Sequence, residues 1–232
     1  MNRLNFIGTG GAFSLKRTNN SAYYKFNDKM ILFDCGETVF HQMLNLNILE
    51  NVKCIDIIIT HFHSDHVGSI GSLVFYCRYK KINVNVIFPN KDLPNTLFEI
   101  FGIRKSLYNL KLPEEIMDYC IKEYAQIHGD VLPNNKIIPM PSYGYQLKIG
   151  EFSFFYSGDT CIIHDIILKK FESHEIELLY HEVTNDGYKA HVSLELLKQK
   201  IRYEDRNRVI CMHLNDSIDV DYLKKLGFRS AE

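Results

Sequence analysis

Residues 54–69, "CIDIIITHFHSDHVGS", decide the fold. A β-branched run through Thr60 reads as a strand buried on both faces. Directly behind it stand His61, His63, Asp65 and His66. His61 and His63 are two positions apart and project the same way from an extended segment. Asp65 and His66 are adjacent and project differently, so they can serve a second centre. Imidazole and carboxylate together suit zinc, and also manganese or iron. Behind the cluster, Val67, Ile70, Leu73, Val74 and Cys77 recur at helical spacing, and Ser64 is placed to cap that helix.

Working outward, strands are predicted at 4–8, 21–26 and 30–34, a short helix at 37–46, and a strand at 83–88. From 91 to 126 the pattern reads as irregular helix, broken by Pro94, Gly102 and Pro113. Strands follow at 136–141, 145–150 and 152–160. Then come helix 162–171, strand 176–183, helix 193–201, strand 208–213 and helix 219–226. Each half opens with strands and continues in alternation, which is an α/β chain. Helices this numerous can cover both outer faces of two packed sheets, an αββα sandwich. One domain spanning 1–232 is expected.

In such a sandwich, strand ends from both halves meet along one edge, so polar groups that terminate apolar strands are the ones to collect. Asp34 ends "MILFD", Asp159 ends "FFYSGD", Glu182 follows "ELLYH" and His213 ends "VICMH". The remaining composition is bland. The 232 residues are 46% hydrophobic and carry a formal charge of −1, which gives no overall field to attract nucleic acid or an anionic membrane. The six cysteines form no C-x-x-C pair, and reduced, mostly buried thiols are expected. The N-terminal segment lacks a sustained apolar stretch and no run is long enough to span a bilayer, so a cytoplasmic protein is expected.

The H-x-H-x-D-H pattern after a buried strand resembles the metallo-β-lactamase superfamily. "FDCGE" (33–37), "SGDT" (157–160) and "CMHLND" (211–216) resemble further motifs of that superfamily. "GTGGAF", "NNSAYY", "HEVT" (181–184) and "AHVS" (190–193) narrow the resemblance to its ribonuclease Z-like phosphodiesterase branch. The resemblance covers most of the chain. It implies the αββα fold and two divalent metal ions, with zinc foremost. His61, His63 and Asp159 would hold one metal; Asp65, His66, Asp159 and His213 would hold the other. Asp34 would brace the histidine loop. Asp65 would orient or deprotonate a water that attacks phosphorus in line, and His191, polarised by Glu182, would protonate the leaving oxygen.

Two departures from that pattern matter. The family supplies a third histidine to the first metal a few residues before a G-Y strand, and counting back from Gly144-Tyr145 puts Ile138 there. His128 either reaches in from a shifted loop or is an ordinary buried or solvated histidine, the reading its spacing favours. The family's tRNA-gripping arm also has no room between Ile138 and Asp159. A small phosphodiester, such as a cyclic nucleotide, or a short oligonucleotide is therefore the expected substrate, with no membrane partner and a homodimer as the candidate assembly. Tyr143, Tyr145 and segment 102–126 could wall the pocket, although core packing is favoured for them. Two other functions compete: hydrolysis of a lactone, thioester or amide, and a partly degenerate, non-catalytic binding protein, which the missing histidine motivates.

Overall fold

The computed structural model describes residues 3–134, 136–185 and 189–231. The first half runs β1 (Asn5–Gly8), β2 (Ser21–Phe26), β3 (Lys29–Phe33), α1 (Val39–Asn45), β4 (Cys54–Ile58), α2 (Ser64–Val67), α3 (Ile70–Lys80), β5 (Asn83–Ile87), α4 (Asp92–Ile100) and β6 (Asn109–Lys111). The second runs β7 (Cys120–Ala125), β8 (Gly129–Val131), β9 (Ile137–Pro139), β10 (Tyr143–Ile149), β11 (Phe152–Tyr156), α5 (Asp165–Glu172), β12 (Leu178–Glu182), α6 (Leu194–Lys200), β13 (Val209–Met212), α7 (Val220–Lys225) and β14 (Arg229–Ser230). One six-stranded sheet has the order β1-β2-β3-β4-β5-β6, and the other β14-β13-β12-β11-β10-β7. In each, an antiparallel part continues into parallel strands: β3-β4-β5-β6 in one, β11-β12-β13-β14 in the other.

The strand period of two sorts apolar residues between layers. Met30, Leu32, Ile55 and Ile57 face outward and pack with Val39 and Met43 of α1 and Leu73 and Val74 of α3. Leu179, Val209 and Cys211 face outward from the other sheet onto Ile167 and Phe171 of α5, Leu197 of α6 and Leu223 of α7. Between the sheets lie Ile31, Phe33 and Ile58 from one side, and Phe154, Tyr156, Tyr180 and Met212 from the other. Phe33 and Tyr156 stack across this layer with ring centroids 4.3 Å apart. The arrangement is the αββα sandwich that the sequence pattern predicts.

Several local expectations need correction. The segment read as irregular helix holds α4 and then two strands, β6 and β7. β6 pairs with β5, and β7 pairs along its whole length with β10. Both are edge strands with much of their surface exposed, so the apolar alternation that would reveal them is weak. Pro94 does not break α4 because it sits in the first turn, where the missing N–H has no partner to lose. The helix after the histidines is split at Gly68 and Ser69 into α2 and α3. Ser64 is the first residue of α2 rather than its side-chain cap. Ser69 explains the split: its hydroxyl donates to the Gly36 carbonyl and accepts from the Phe40 N–H, tying the helix start to the loop after β3. The strand expected at 136–141 is the short β9, which pairs with β8 in a two-stranded hairpin outside both sheets.

All six cysteines are free; Cys35, Cys77 and Cys211 are buried, Cys54 and Cys161 half-buried, and Cys120 exposed. No helix among the described residues is long and apolar enough to cross a membrane. Tyr145 is buried between the sheets and Tyr143 packs edge-on against Phe88, so both belong to the core. The Tyr145 hydroxyl donates to the Ile59 carbonyl at 2.8 Å, just before the histidine loop. Tyr145→Phe keeps the packing and removes that donor, and is expected to cost about 1–2 kcal/mol. Urea unfolding should then show a lower midpoint at an unchanged slope.

Candidate metal centre

The parallel strands of both sheets point their C-terminal ends at one edge, where open α/β sheets place their ligands. Asp34 follows β3, the histidine loop follows β4, Asp159 follows β11, Glu182 ends β12, and His213 follows β13. Asp34 and His213 have left-handed backbones, with φ of 60° and 54°. For non-glycine residues this costs of order 1–3 kcal/mol each, a strain that clusters at functional sites.

The histidine loop is held from behind. Asp34 is fully buried; it accepts the Thr60 N–H at 2.7 Å, the Thr60 hydroxyl at 2.8 Å and His66 Nδ1 at 2.8 Å. The Cys35 N–H donates to the His66 carbonyl at 2.7 Å. At Gly36 the chains approach so closely that an added Cβ would lie 1.8 Å from the Asp65 carbonyl oxygen, so no side chain fits there. With Nδ1 given to Asp34, His66 turns Nε2 inward. This is the carboxylate–histidine arrangement that fixes a ligand's ring and tautomer.

Two clusters result. Nδ1 of His63 lies 3.1 Å from His61 Nε2 and 3.2 Å from His128 Nε2, so three ring nitrogens converge. His128 gives Nδ1 to the Ala190 carbonyl at 3.0 Å, leaving the Nε2 lone pair facing the other two. The second cluster is Asp65, His66, Asp159 and His213. Asp65 Oδ2 is 3.3 Å from both His66 Nε2 and His213 Nε2. Asp159 joins the clusters: its Oδ2 lies 3.4 Å from His213, 3.5 Å from His66, 3.8 Å from His128 and 3.9 Å from His61. Beside them, His191 Nδ1 is 2.6 Å from Glu182 Oε2, while Glu182 Oε1 accepts the Thr160 N–H at 2.5 Å.

The electrostatics match this layout. Burial alone would disfavour charge on Asp159, but His213 and His66 outweigh it and hold the carboxyl well below its usual range. Burial likewise opposes charge on His66, yet Asp159, Asp34 and Asp65 keep its pKa well above that of a free imidazole. His128 is pushed down to about 4, chiefly by burial, so its ring is neutral with a lone pair to offer. For His191, burial works downward but Glu182, with Asp159 behind it, holds the pKa up at about 9.

The donor set fits metal ions. Buried His66 Nε2 and Asp159 Oδ1 have no hydrogen-bond partner. His63 Nδ1 stands within 3.2 Å of both His61 Nε2 and His128 Nε2, and a single shared cation would accept a lone pair from all three rings. Imidazole with carboxylate is the ligand chemistry of zinc, manganese and iron.

The structure thus brings together His61, His63, Asp65, His66, Asp159 and His213, with Glu182 and His191 at their side and Asp34 behind. It corrects the reading of the third histidine. Ile138 is 51% exposed on β9, away from the cluster, and His128 stands where the count from Gly144-Tyr145 pointed to Ile138. The count fails because the β8–β9 hairpin intervenes between His128 and β10. The signal available was that His128 is the only histidine between His66 and His164.

The chain has the metallo-β-lactamase fold, with His/Asp clusters at its strand ends that can hold metal ions. The chain is similar in structure to the metallo-β-lactamase fold protein YhfI from Bacillus subtilis, with a TM-score of 0.75 and 19% identity over 98% of this chain and 94% of that one. It is also similar to human tRNase Z, short form, with a TM-score of 0.66 and 19% identity over 92% and 93% of the two chains. Within that fold the chain belongs to the anti-Pycsar protein Apyc1 family, whose model matches residues 2–230. An anti-Pycsar protein Apyc1 from Bacillus phage BSP38 is 29% identical over 255 residues, covering 97% of this chain and 93% of the relative.

Asp34→Ala should release the His66 ring. Zinc affinity measured by competition with a chromogenic chelator is expected to fall about 10- to 100-fold.

Proposed function

We propose that this protein is a phosphodiesterase with a dinuclear metal centre, acting on a small phosphodiester, with a cyclic nucleotide foremost. The observation that carries the reading is the Asp159 carboxylate, one oxygen of which faces histidines of both clusters within 3.9 Å. His61, His63, His128 and Asp159 would hold one ion, and Asp65, His66, Asp159 and His213 the other. When bound, divalent cations supply Lewis-acid polarisation of a phosphoryl group and a nucleophile at neutral pH.

The chain's own groups complete the chemistry. Asp65 borders the open cavity and would orient the attacking water and accept its proton. His191 also borders that cavity, and against the effect of burial the Glu182 carboxylate holds its pKa up at about 9. His191 would protonate the leaving oxygen. Glu182 cannot swing away, since its second oxygen is held by the Thr160 N–H.

Size and charge support a small substrate. The cavity in front of the clusters holds about 400 Å³, within the range of small-molecule sites, and a net charge of −1 supplies no field for a long nucleic acid. The relatives' name describes them as acting against Pycsar, and we extend that role to this chain as part of the same proposal. The reading of a degenerate binding protein rested on a missing histidine, and His128 removes that motive.

Hydrolysis of 3′,5′-cyclic nucleotides by zinc- or manganese-loaded protein tests the proposal. Absence of turnover of any phosphodiester by protein with verified metal would overturn it. His191→Ala is expected to lower kcat by about 10²- to 10⁴-fold, with metal content unchanged by mass spectrometric analysis. His128→Ala should bind one metal equivalent fewer than the parent, while Ile138→Ala should bind the full complement.

A further inference from the structure

Phe13 is 96% exposed, although hydrogen bonds tie its loop on both sides. Gly10 bridges both Asn19 and Leu214, and the Gly11 N–H donates to the Leu214 carbonyl at 3.1 Å. Beyond Phe13, Asp216 accepts the Ser14 hydroxyl at 2.5 Å and the Leu15 N–H at 2.9 Å, with Arg17 Nη1 at 3.6 Å. On its inner side the loop lies against a cluster histidine: a Cβ on Gly11 would sit 3.2 Å from His213 Cε1. Phe13 is therefore displayed in a fixed place relative to His213, and among the described residues its ring has almost no packing role.

Two cavities meet at this ring. One, of about 400 Å³, opens onto Asp65, Asp159 and His128. The other, of about 340 Å³, runs past Thr184, Asn215 and Asp216. They share Ala12, Phe13, His191 and His213. A substrate whose phosphodiester lies at the clusters and whose leaving oxygen faces His191 has its remaining part directed along the second cavity. That cavity offers a flat aromatic face with hydrogen-bonding side chains around it, the combination that holds a nucleobase. Leu15, 95% exposed on the same loop, borders neither cavity, so bare exposure does not distinguish Phe13; its position does.

We propose that Phe13 is the face on which the base of a nucleotide substrate stacks, so that the second cavity is a nucleobase subsite. The inference rests on the phosphodiesterase reading for the location of the phosphodiester. Stacking is sequence-tolerant, because every base has a π-face, so Phe13 sets affinity for nucleotides over base-free phosphodiesters and leaves the choice of base to the polar lining.

The test compares metal-loaded parent, Phe13→Ala and Phe13→Trp on a 3′,5′-cyclic nucleotide and on 1-deoxyribose 3′,5′-cyclic phosphate, which has no base. Phe13→Ala is expected to raise KM for the nucleotide about 5- to 100-fold with kcat little changed, to leave the base-free substrate unaffected, and to be rescued by Phe13→Trp. An unchanged KM, or an equal rise for both substrates, overturns the proposal. Because the chain contains no tryptophan, Phe13→Trp also reports binding directly. Its fluorescence should be quenched by a nucleoside monophosphate and not by ribose 5-phosphate, and absence of selective quenching overturns the proposal. If the parent hydrolyses neither substrate, the phosphodiesterase reading fails and the quenching result alone decides the stacking. If light scattering shows that Phe13→Ala dissolves a dimer of the parent, the ring covers a second copy and the proposal falls.

Discussion

Asp159 Oδ2 has ring nitrogens of His213, His66, His128, His61 and His191 between 3.4 and 3.9 Å away. A buried carboxylate among so many imidazoles is an arrangement that folding alone does not favour, since each group loses its hydration. What makes it tolerable is that several of the donors are fixed from outside. Asp34 holds His66, the Ala190 carbonyl holds His128, and Glu182 holds His191. Lone pairs are thereby directed at shared points where a cation can satisfy several at once. The strained backbones of Asp34 and His213 belong to the same compromise, because they turn the chain at strand ends toward the cluster.

Most of the sandwich was legible in the sequence because both sheets have buried central strands. "CIDIIIT" and "VICM" are apolar on both faces, each packing against helices outside and the opposing sheet inside. Such runs can hardly be anything but interior strands. Polar groups at their ends then had few places to go. The edge strands β6 and β7 hid for the opposite reason. They are short or half-exposed, and their pairing with β5 and β10 is a long-range fact that local composition does not carry.

His128 shows a different limit. Counting along the chain assumes that the path between two landmarks is uninterrupted, and the β8–β9 hairpin violates this without disturbing either landmark. Gly129 departs from β geometry with φ of 150°, and an added Cβ there would meet the Ile138 carbonyl at 2.0 Å, so the hairpin folds tightly back on itself. The excursion leaves His128 and Ser142 in place: the Gln126 N–H bonds the Ser142 carbonyl at 2.8 Å across its base. A ligand can thus keep its position in space while losing its position in the sequence.

The same hairpin bears on what the site can admit. Gly129 and Asp130 wall the cavity in front of the clusters on one side, and Ala12 and Phe13 wall it on another. The first belongs to the second half of the chain and the other to its beginning, and each is pinned by its own hydrogen bonds rather than by the other. A polymeric substrate would need a charged track leading out of this cleft, with several phosphates neutralised along it. The formal net charge of −1 supplies no overall field of that kind. On the proposed phosphodiesterase reading, recognition would be local: one phosphodiester at the clusters and whatever that group carries within the reach of the two walls.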